Sequence, residues 1–404
     1  MNPSRQRLAI FLAILIGIPL TAFFVIKLAS GYRPDIPNLT LKPTGLLVAT
    51  STPNGAQVFV DGKLTSATNA TISLAPRTYE VELKKDGFIP WKKTLEIEKE
   101  LVTETNAFLF PAFPDLRSLT FTGAQNPVVS PDGQKVVFAV SGASTGKDGL
   151  WVLDLADRPF GLSRDPRQIL RSAPKGRDFA ESTYVFSPDS KQLLVTLPQR
   201  PSEAGQTIEE NFLIDSGELT EATELIDISV RLPIIKKQWQ EEEKLRQTVV
   251  FSKLPDELLK IATASAEAVS FSLDETKILY LATASAQIPE KIISPVPAAN
   301  SQPESRHLEP GKIYVYDLKE DKNFYIMDQE KGKSLSWFPT SRHLFLVEED
   351  KVEIMEYDGT NRAAVYTGPF ENSFAFSFPS GNKILVLTTL GRDTPPNLYA
   401  INLR

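Results

Sequence analysis

A short turn motif recurs five times between residue 115 and the end of this 404-residue chain. In its first copy, Ser130-Pro131-Asp132-Gly133, proline presets φ for a type I turn, serine and aspartate bond the local backbone, and glycine accepts a positive φ. Each copy is therefore predicted to be a tight bend between two strands. The copies are Ser130–Gly133, Ser187–Ser190, Ser272–Glu275, Phe338–Ser341 and Phe378–Gly381.

An apolar strand follows each turn, and a polar residue opens it at a constant offset. A further strand ending in Asp or Asn comes later in each copy, for example Leu150–Asp154 and Leu398–Asn402. Such β units cannot bury both faces alone, but a radial arrangement buries them. At roughly 40 to 50 residues per blade, residues 115–404 predict a β-propeller of about six blades, five of them visible. The opening residues are Lys135, Gln192, Lys277, His343 and Lys383.

The repeat resembles that of TolB-like and WD-repeat-like β-propellers, in which Ser-Pro-Asp-Gly turns followed by a basic residue and an apolar strand mark every blade. The resemblance implies an all-β propeller. It also raises the alternative that the chain is a TolB-like component of an envelope assembly.

Two stretches interrupt the repeat. Between about 218 and 262 the pattern is lost, and the segments Lys236–Gln247 and Pro255–Ala262 are typical of helices, so a helical insertion or a decorated blade is predicted. Between about 286 and 311 several prolines alternate with Ser, Asn and Glu. A loop this long is either disordered or functional. We therefore expect disorder there or a partner-binding loop.

Residues 1–30 contain an uncharged, mostly apolar run from Leu8 to Ile26. At 1.5 Å per residue the run is long enough to cross the roughly 30 Å hydrocarbon core of a bilayer. We predict a single-pass transmembrane helix; a cleaved signal peptide and a buried soluble helix are the alternatives. Arg5 and Arg7 before the run predict a cytoplasmic N-terminus and extracytoplasmic domains. Residues 31–44, rich in proline, are predicted to form an extended polyproline-like stalk.

Residues 45–109 have the period-two pattern of short strands separated by Pro, Asn and Gly turns. Pro53-Asn54-Gly55-Ala56, the Val58–Gly62 run, Tyr79-Glu80-Val81 and Asp86-Gly87-Phe88 occur in the order and spacing of the PEGA domain. This segment resembles that family of small surface-associated β-sandwiches. The resemblance implies a surface location and a spacer or binding role, and it brings no catalytic residues.

Composition excludes several classes of site. The chain has no Cys, only two His and a formal net charge of -6, so disulfides, thiolate nucleophiles and Cys-type metal sites are excluded and nucleic acid is a poor partner. We expect His343 to start a solvated strand and His307 to bind no metal. We predict no cofactor and no metal site.

Each motif that resembles a catalytic or phosphate-binding motif lacks a feature that the chemistry requires. Ser144 lies in a Gly-x-Ser-x-Gly sequence, but strands flank it on both sides where a nucleophile elbow needs a helix. Gly146-Lys147 and Gly332-Lys333-Ser334 lack the earlier glycine of a phosphate-binding loop. The repeated Asp132, Asp189 and Asp274 are explained by the turn that needs them.

We therefore predict a membrane-anchored, extracytoplasmic binding or scaffold protein that presents a β-propeller face to a protein or glycan partner. The alternative is an extracytoplasmic hydrolase that uses carboxylates in the propeller channel, because propellers host both functions.

Overall fold

The computed structural model describes residues 3–29, 31–35, 40–142, 146–156, 165–171, 182–201, 207–221, 224–294, 296–391 and 394–404. The chain forms two compact units. Unit 1 comprises Met1–Phe110 and Ser294–Pro303, and unit 2 comprises Pro111–Ile293 and Glu304–Arg404. The fold is 44% strand and 15% helix, which confirms the prediction of a mainly β protein.

Unit 1 begins with helix α1, Pro3–Ala29, which contains Pro19. Its stretch Ile10–Leu28 has the length and apolar composition of a membrane span or a signal sequence, and none of that stretch is buried. The predicted N-terminal apolar helix is confirmed. Its crossing of a membrane and its orientation stay predictions.

A short antiparallel pair follows the helix. Strand β1, Arg33–Asp35, hydrogen-bonds with β2, Thr40–Lys42. The polyproline-like stalk predicted for residues 31–44 is therefore wrong at these residues, because their backbone groups bond to each other, whereas polyproline backbone bonds to water.

The small β domain has nine short strands around one core. Alternate residues of its strands point inward; on β8, for example, Tyr79, Val81 and Leu83 are buried and Glu80 is exposed. Trp91 is 3% exposed within the same core. The sheets have the orders β6-β5-β8-β9, β10-β3-β7 and β11-β4. The strands are β3 Gly45–Ala49, β4 Ser51–Thr52, β5 Gln57–Val60, β6 Lys63–Ala67, β7 Ala70–Leu74, β8 Arg77–Lys84, β9 Trp91–Ile97, β10 Val102–Glu104 and β11 Ala107–Phe108.

The described residues of unit 2 contain five sheets of three or more strands and one two-stranded sheet at residues 286–287 and 307–308. Each predicted turn joins two successive strands of one of the five larger sheets. Sheet 1 is β13 Gln125–Val129, β14 Lys135–Val140, β15 Gly149–Asp154 and β16 Arg167–Arg171, with β20 Thr220–Glu221 added in parallel. Sheet 2 is β17 Thr183–Phe186, β18 Gln192–Pro201 and β19 Thr207–Asp215. Sheet 3 is β21 Ala266–Phe271, β22 Lys277–Ala282, β25 Lys312–Asp317 and β26 Lys322–Asp328. Sheet 4 is β27 Ser334–Trp337, β28 His343–Val347, β29 Lys351–Glu356 and β30 Ala363–Thr367. Sheet 5 is β31 Ala375–Ser377, β32 Lys383–Thr388, β33 Asn397–Asn402 and β12 Leu116–Ser118.

Both ends of unit 2 meet in sheet 5, because β12 pairs antiparallel with β33. Neighbouring sheets share cores. On β14, Val136 and Phe138 face a core shared with sheet 5, whereas Val137 and Ala139 face a core shared with sheet 2. Sheets 3 and 4 share another core. Burial on both faces explains the continuous apolar runs of these strands.

Two helices occupy the stretch where the repeat was lost. They are α2, Leu232–Phe251, which has no buried residue, and α3, Asp256–Ala264, which packs Leu258 and Ala262 against sheet 3. The predicted helices are thus present. A sixth blade and closure of the sheets into a propeller stay predictions.

The fourth residue of every turn has a positive φ. Glycine fills the position in two turns, but Ser190, Glu275 and Ser341 adopt φ of 64°, 56° and 59°. A side chain at such an angle costs free energy that glycine avoids.

We expect Glu275→Gly to be more stable than Glu275→Ala by about 1 kcal/mol, because both variants lose the Glu275 side chain and only glycine relieves the backbone. The alanine variant is the matched control, since it also loses the 2.5 Å ion pair with Lys253. Urea unfolding of the two variants measures the difference. Equal urea midpoints for the two variants would show that the positive φ at residue 275 costs no measurable free energy.

Candidate binding site

The turn carboxylates of unit 2 are occupied by structural hydrogen bonds. The Ser130 hydroxyl donates to Asp132 Oδ1 over 2.6 Å and accepts from the Lys135 N–H over 2.9 Å. The turns at Ser187 and Ser272 repeat both bonds. These contacts give the three repeated aspartates the structural role expected from the sequence.

The same bonds change the acidity of two turn aspartates. The Ser187 hydroxyl, with the Lys191 N–H, holds the pKa of Asp189 below its usual range. Burial raises the pKa of Asp274, but hydrogen bonds from Ser272 and Thr276 outweigh it, and the net pKa is lowered. Both groups are therefore held as carboxylates and not as proton donors.

Adjacent turns also bond to one another. The Asp132 N–H donates to Ser190 Oγ over 3.1 Å, and the Asp274 N–H donates to Ser341 Oγ over 3.0 Å. The two serines with positive φ therefore each link their own turn to the preceding sheet's turn.

The two histidines have different surroundings, and neither belongs to a cluster of potential metal ligands among the described residues. His343 is 4% exposed, its Nδ1 lies 2.8 Å from Thr340 Oγ1, and its ring meets Phe338 edge-on at 6.4 Å. The prediction of a solvated His343 is therefore wrong, because the strand opening lies under its own turn. His307 is exposed in the short strand β24, His307–Leu308. No group of three or more His, Asp or Glu suited to a metal occurs among the described residues.

The Pro-rich stretch 286–311 is ordered in its described residues. Its ends pair as β23, Ala286–Gln287, with β24, and its middle, Ser294–Pro303, belongs to unit 1. There Gln302 Nε2 donates to the Thr94 carbonyl over 2.7 Å, and the Glu96 N–H donates to Ser301 Oγ over 3.3 Å. These bonds cover part of the open edge of β9. The expectation of disorder is wrong for these residues.

A buried polar cluster in unit 2 bonds to the residues just before and just after the segment 294–303. Asp321 is 5% exposed, and its Oδ2 accepts from the Lys291 N–H over 2.9 Å and from Arg306 Nη2 over 3.0 Å. Its Oδ1 accepts from the Tyr316 hydroxyl and from the Ile293 N–H. Burial, together with the bond to Asp321, raises the pKa of Tyr316. No sequence motif marks this cluster, which is structural.

An open pocket of about 170 Å³ lies where sheets 5 and 1 begin. Its apolar part consists of Ala124, Leu387 and Pro396, of which Ala124 is 0% and Leu387 1% exposed. Polar side chains complete the lining, and one of them, Glu371, is charged. These are Gln125, Asn126, Glu371 and Asn372.

The backbone at the pocket has an unusual conformation. Asn126 has φ 48°, and the register of β13 against β14 shifts between Gln125 and Val128. Asn372 and Ser373, in the 3-10 turn Glu371–Ser373, have φ 55° and 49°. The first strand of sheet 3 has the same register shift, between Glu267 and Ser270, with Ala268 at φ 50°, so the conformation at Asn126 belongs to the repeated sheet.

Hydrogen bonds fix both walls of the pocket. On one side the Tyr184 hydroxyl donates to the carbonyls of Gln125, over 3.1 Å, and Asn126. Burial raises the pKa of Tyr184, so the hydroxyl keeps its proton. On the other side Thr389 Oγ1 donates to Glu371 Oε1 over 3.2 Å. Hydrogen-bonded residues therefore border the pocket on both sides.

The structure describes one of the enzyme-like motifs in detail, Gly332-Lys333-Ser334. Lys333 Nζ forms ion pairs with Glu330 at 2.9 Å and Glu348 at 3.4 Å. Its charge is therefore paired with carboxylates, which would repel a phosphate. Ser144 lies outside the described residues. The sequence did not identify the pocket, because its residues come from places some 250 positions apart.

One domain family matches the chain. Residues 44–111 match the PEGA domain, which confirms the resemblance found for residues 45–109. None of the curated proteins matches the chain.

Solved structures similar to the chain include a protein described as a TolB from Agrobacterium tumefaciens, 13% identical, with 71% of this chain and 83% of that one covered and a TM-score of 0.23. TolB from Acinetobacter baumannii is 13% identical, with 81% of this chain and 62% of that one covered and a TM-score of 0.22. A prolyl endopeptidase is 13% identical, with 87% of this chain and 48% of that one covered and a TM-score of 0.24. The chain thus spans less than two thirds of the last two proteins. TM-scores this low do not establish a shared fold, and the propeller stays a prediction.

Proposed function

We propose that this chain is a membrane-anchored extracytoplasmic binding protein. In this proposal α1 spans the membrane, the PEGA domain acts as a spacer, and unit 2 forms a β-propeller that presents a binding face to a partner. The observation that carries the proposal is α1, a long apolar helix followed by β-rich units. An apolar stretch with no buried residue needs a lipid environment, or removal, to avoid exposure to water.

Two further observations support the propeller and its role. The β12–β33 pair joins the first and last strands of unit 2 in one sheet, as closure of a ring requires. The repeated turn carboxylates bond to their own backbone, so their recurrence is explained by the turns and not by hydrolysis.

Fractionation of cells that produce the full chain tests the anchor. We expect the chain to stay with membranes after an alkaline carbonate wash, and a variant lacking residues 8–26 to be released. Protease added outside intact cells is expected to digest both units, because they lie beyond the membrane.

The intact mass of the extracted chain separates an anchor from a signal peptide. A chain that retains residues 8–26 supports the anchor. Recovery of the full chain in the soluble fraction, or of a chain shortened behind the apolar run, would overturn it.

A further inference from the structure

We propose that the pocket lined by Gln125, Asn126, Glu371 and Asn372 binds the ammonium or guanidinium group of a Lys or Arg side chain in a peptide partner. This inference rests on the proposed binding function of unit 2 and specifies the partner as a protein.

The charge of the pocket selects a cation. Glu371 is the one charged lining residue, and no ion pair involves it among the described residues. Its Oε1 accepts a hydrogen bond from the Thr389 hydroxyl over 3.2 Å. The exposed Glu371 carboxylate attracts a positively charged hydrogen-bond donor.

The other polar side chains suit the same group. The side-chain amides of Gln125 and Asn372 carry carbonyl oxygens that accept hydrogen bonds. An ammonium offers three donors and a guanidinium five, with no acceptor. Acceptors around a carboxylate therefore match a Lys or Arg head group.

The apolar part suits the stem of such a side chain. Pro396 is half-buried and offers hydrocarbon surface next to the polar group, whereas Ala124 and Leu387 are almost fully buried. Lys and Arg bury their methylene stems against surfaces of this kind while the charged head stays near water. The volume, about 170 Å³, is below the roughly 300–1,000 Å³ of pockets for whole drug-sized ligands, which favours a single side chain.

A glycan fits less well. No aromatic ring lines the pocket among the described residues, so a sugar ring finds no aromatic face to pack on. A neutral sugar also leaves the Glu371 charge without a counter-ion. The observations therefore favour a basic peptide.

Titration calorimetry on the full chain in detergent micelles tests the inference. The probes are two capped tripeptides, acetyl-Gly-Lys-Gly-amide and the same peptide with norleucine, which has the stem without the charge. We expect binding of the lysine peptide that weakens with added salt, and none of the norleucine peptide.

The Glu371→Gln variant removes the charge and keeps the shape of the side chain. We expect it to bind the lysine peptide at least about fivefold more weakly. Glu243→Gln, on the exposed surface of α2, is the matched control and is expected to bind like the unmodified chain. An unchanged unfolding midpoint of Glu371→Gln shows that the loss is local.

Four results would overturn the inference: no binding of the lysine peptide, equal binding of both peptides, equal binding by both variants, or binding of methyl glucoside in place of the lysine peptide. Failure of this inference is separable from failure of the proposed function. A chain that stays in the membrane fraction but binds no lysine peptide refutes only the pocket assignment.

Discussion

The Asp321→Ala variant is expected to lose about 3–5 kcal/mol of unfolding free energy in unit 2, the usual effect of removing one partner of a buried ion pair. The Arg306 side chain is 11% exposed and loses its buried carboxylate. Glu304, 3.0 Å from Arg306 Nε but 36% exposed, compensates only in part. The Tyr316 hydroxyl and two backbone N–H groups lose their acceptor as well.

Urea unfolding of the full chain in micelles, followed by tryptophan fluorescence, measures this loss. Hydrogen exchange assigns it to β25 and β26, which flank Asp321. Asp321→Asn keeps an oxygen acceptor without the charge, so we expect an intermediate loss. Glu349→Ala, at an exposed position in the same unit, is expected to have no measurable effect. A loss below about 1 kcal/mol in Asp321→Ala would show that the cluster contributes little.

The Phe338→Ala variant is expected to lose a similar amount, about 3–5 kcal/mol, because it leaves a cavity in the core. Phe338 is 0% exposed, and its ring lies 6.3 Å from that of Phe345 and 6.4 Å from that of His343. It also lies 3.3 Å from the position where a Cβ on Gly381 would stand, so it joins the turns of sheets 4 and 5.

The same unfolding measurement tests this loss, and two variants calibrate it. Phe338→Leu keeps most of the volume, and we expect it to lose clearly less than the alanine variant. Phe121→Ala removes the same ring from a side chain that is 82% exposed and is expected to be nearly neutral. If Phe338→Ala and Phe121→Ala unfold at the same midpoint, Phe338 does not stabilise the contact between these turns.

The turns and strands of unit 2 were predictable because their determinants are local. A Ser-Pro-Asp sequence sets φ and supplies the hydroxyl and carboxylate that bond the next few N–H groups, as Ser130 and Asp132 do. The PEGA domain was recognisable for the same reason, since the Val58–Gly62 strand and turn depend on neighbours in sequence. The N-terminal helix follows from apolar composition alone.

Two other expectations failed, one at a contact within a turn and one at a contact between distant segments. The expectation for His343 failed for a local reason, because its ring contacts Phe338 and Thr340 of its own turn and is buried there. The proline-rich segment 294–303 has the composition of a disordered loop. Its side chains nevertheless bond to the edge of β9, about 200 residues earlier in sequence.

The sequence by itself determined the order of the parts: an apolar helix, a PEGA domain, and a repeated strand-turn-strand unit. Each depends on residues within a few positions of one another, where local geometry decides the outcome. Only the tertiary structure decided which side chains meet, as in the Asp321–Arg306 pair and in the pocket of Glu371 and Gln125. The first contact joins residues 15 positions apart and the second residues about 250 positions apart. No local pattern records either of them, because their free energy comes from burial and polar contacts that form only when the chain folds back on itself.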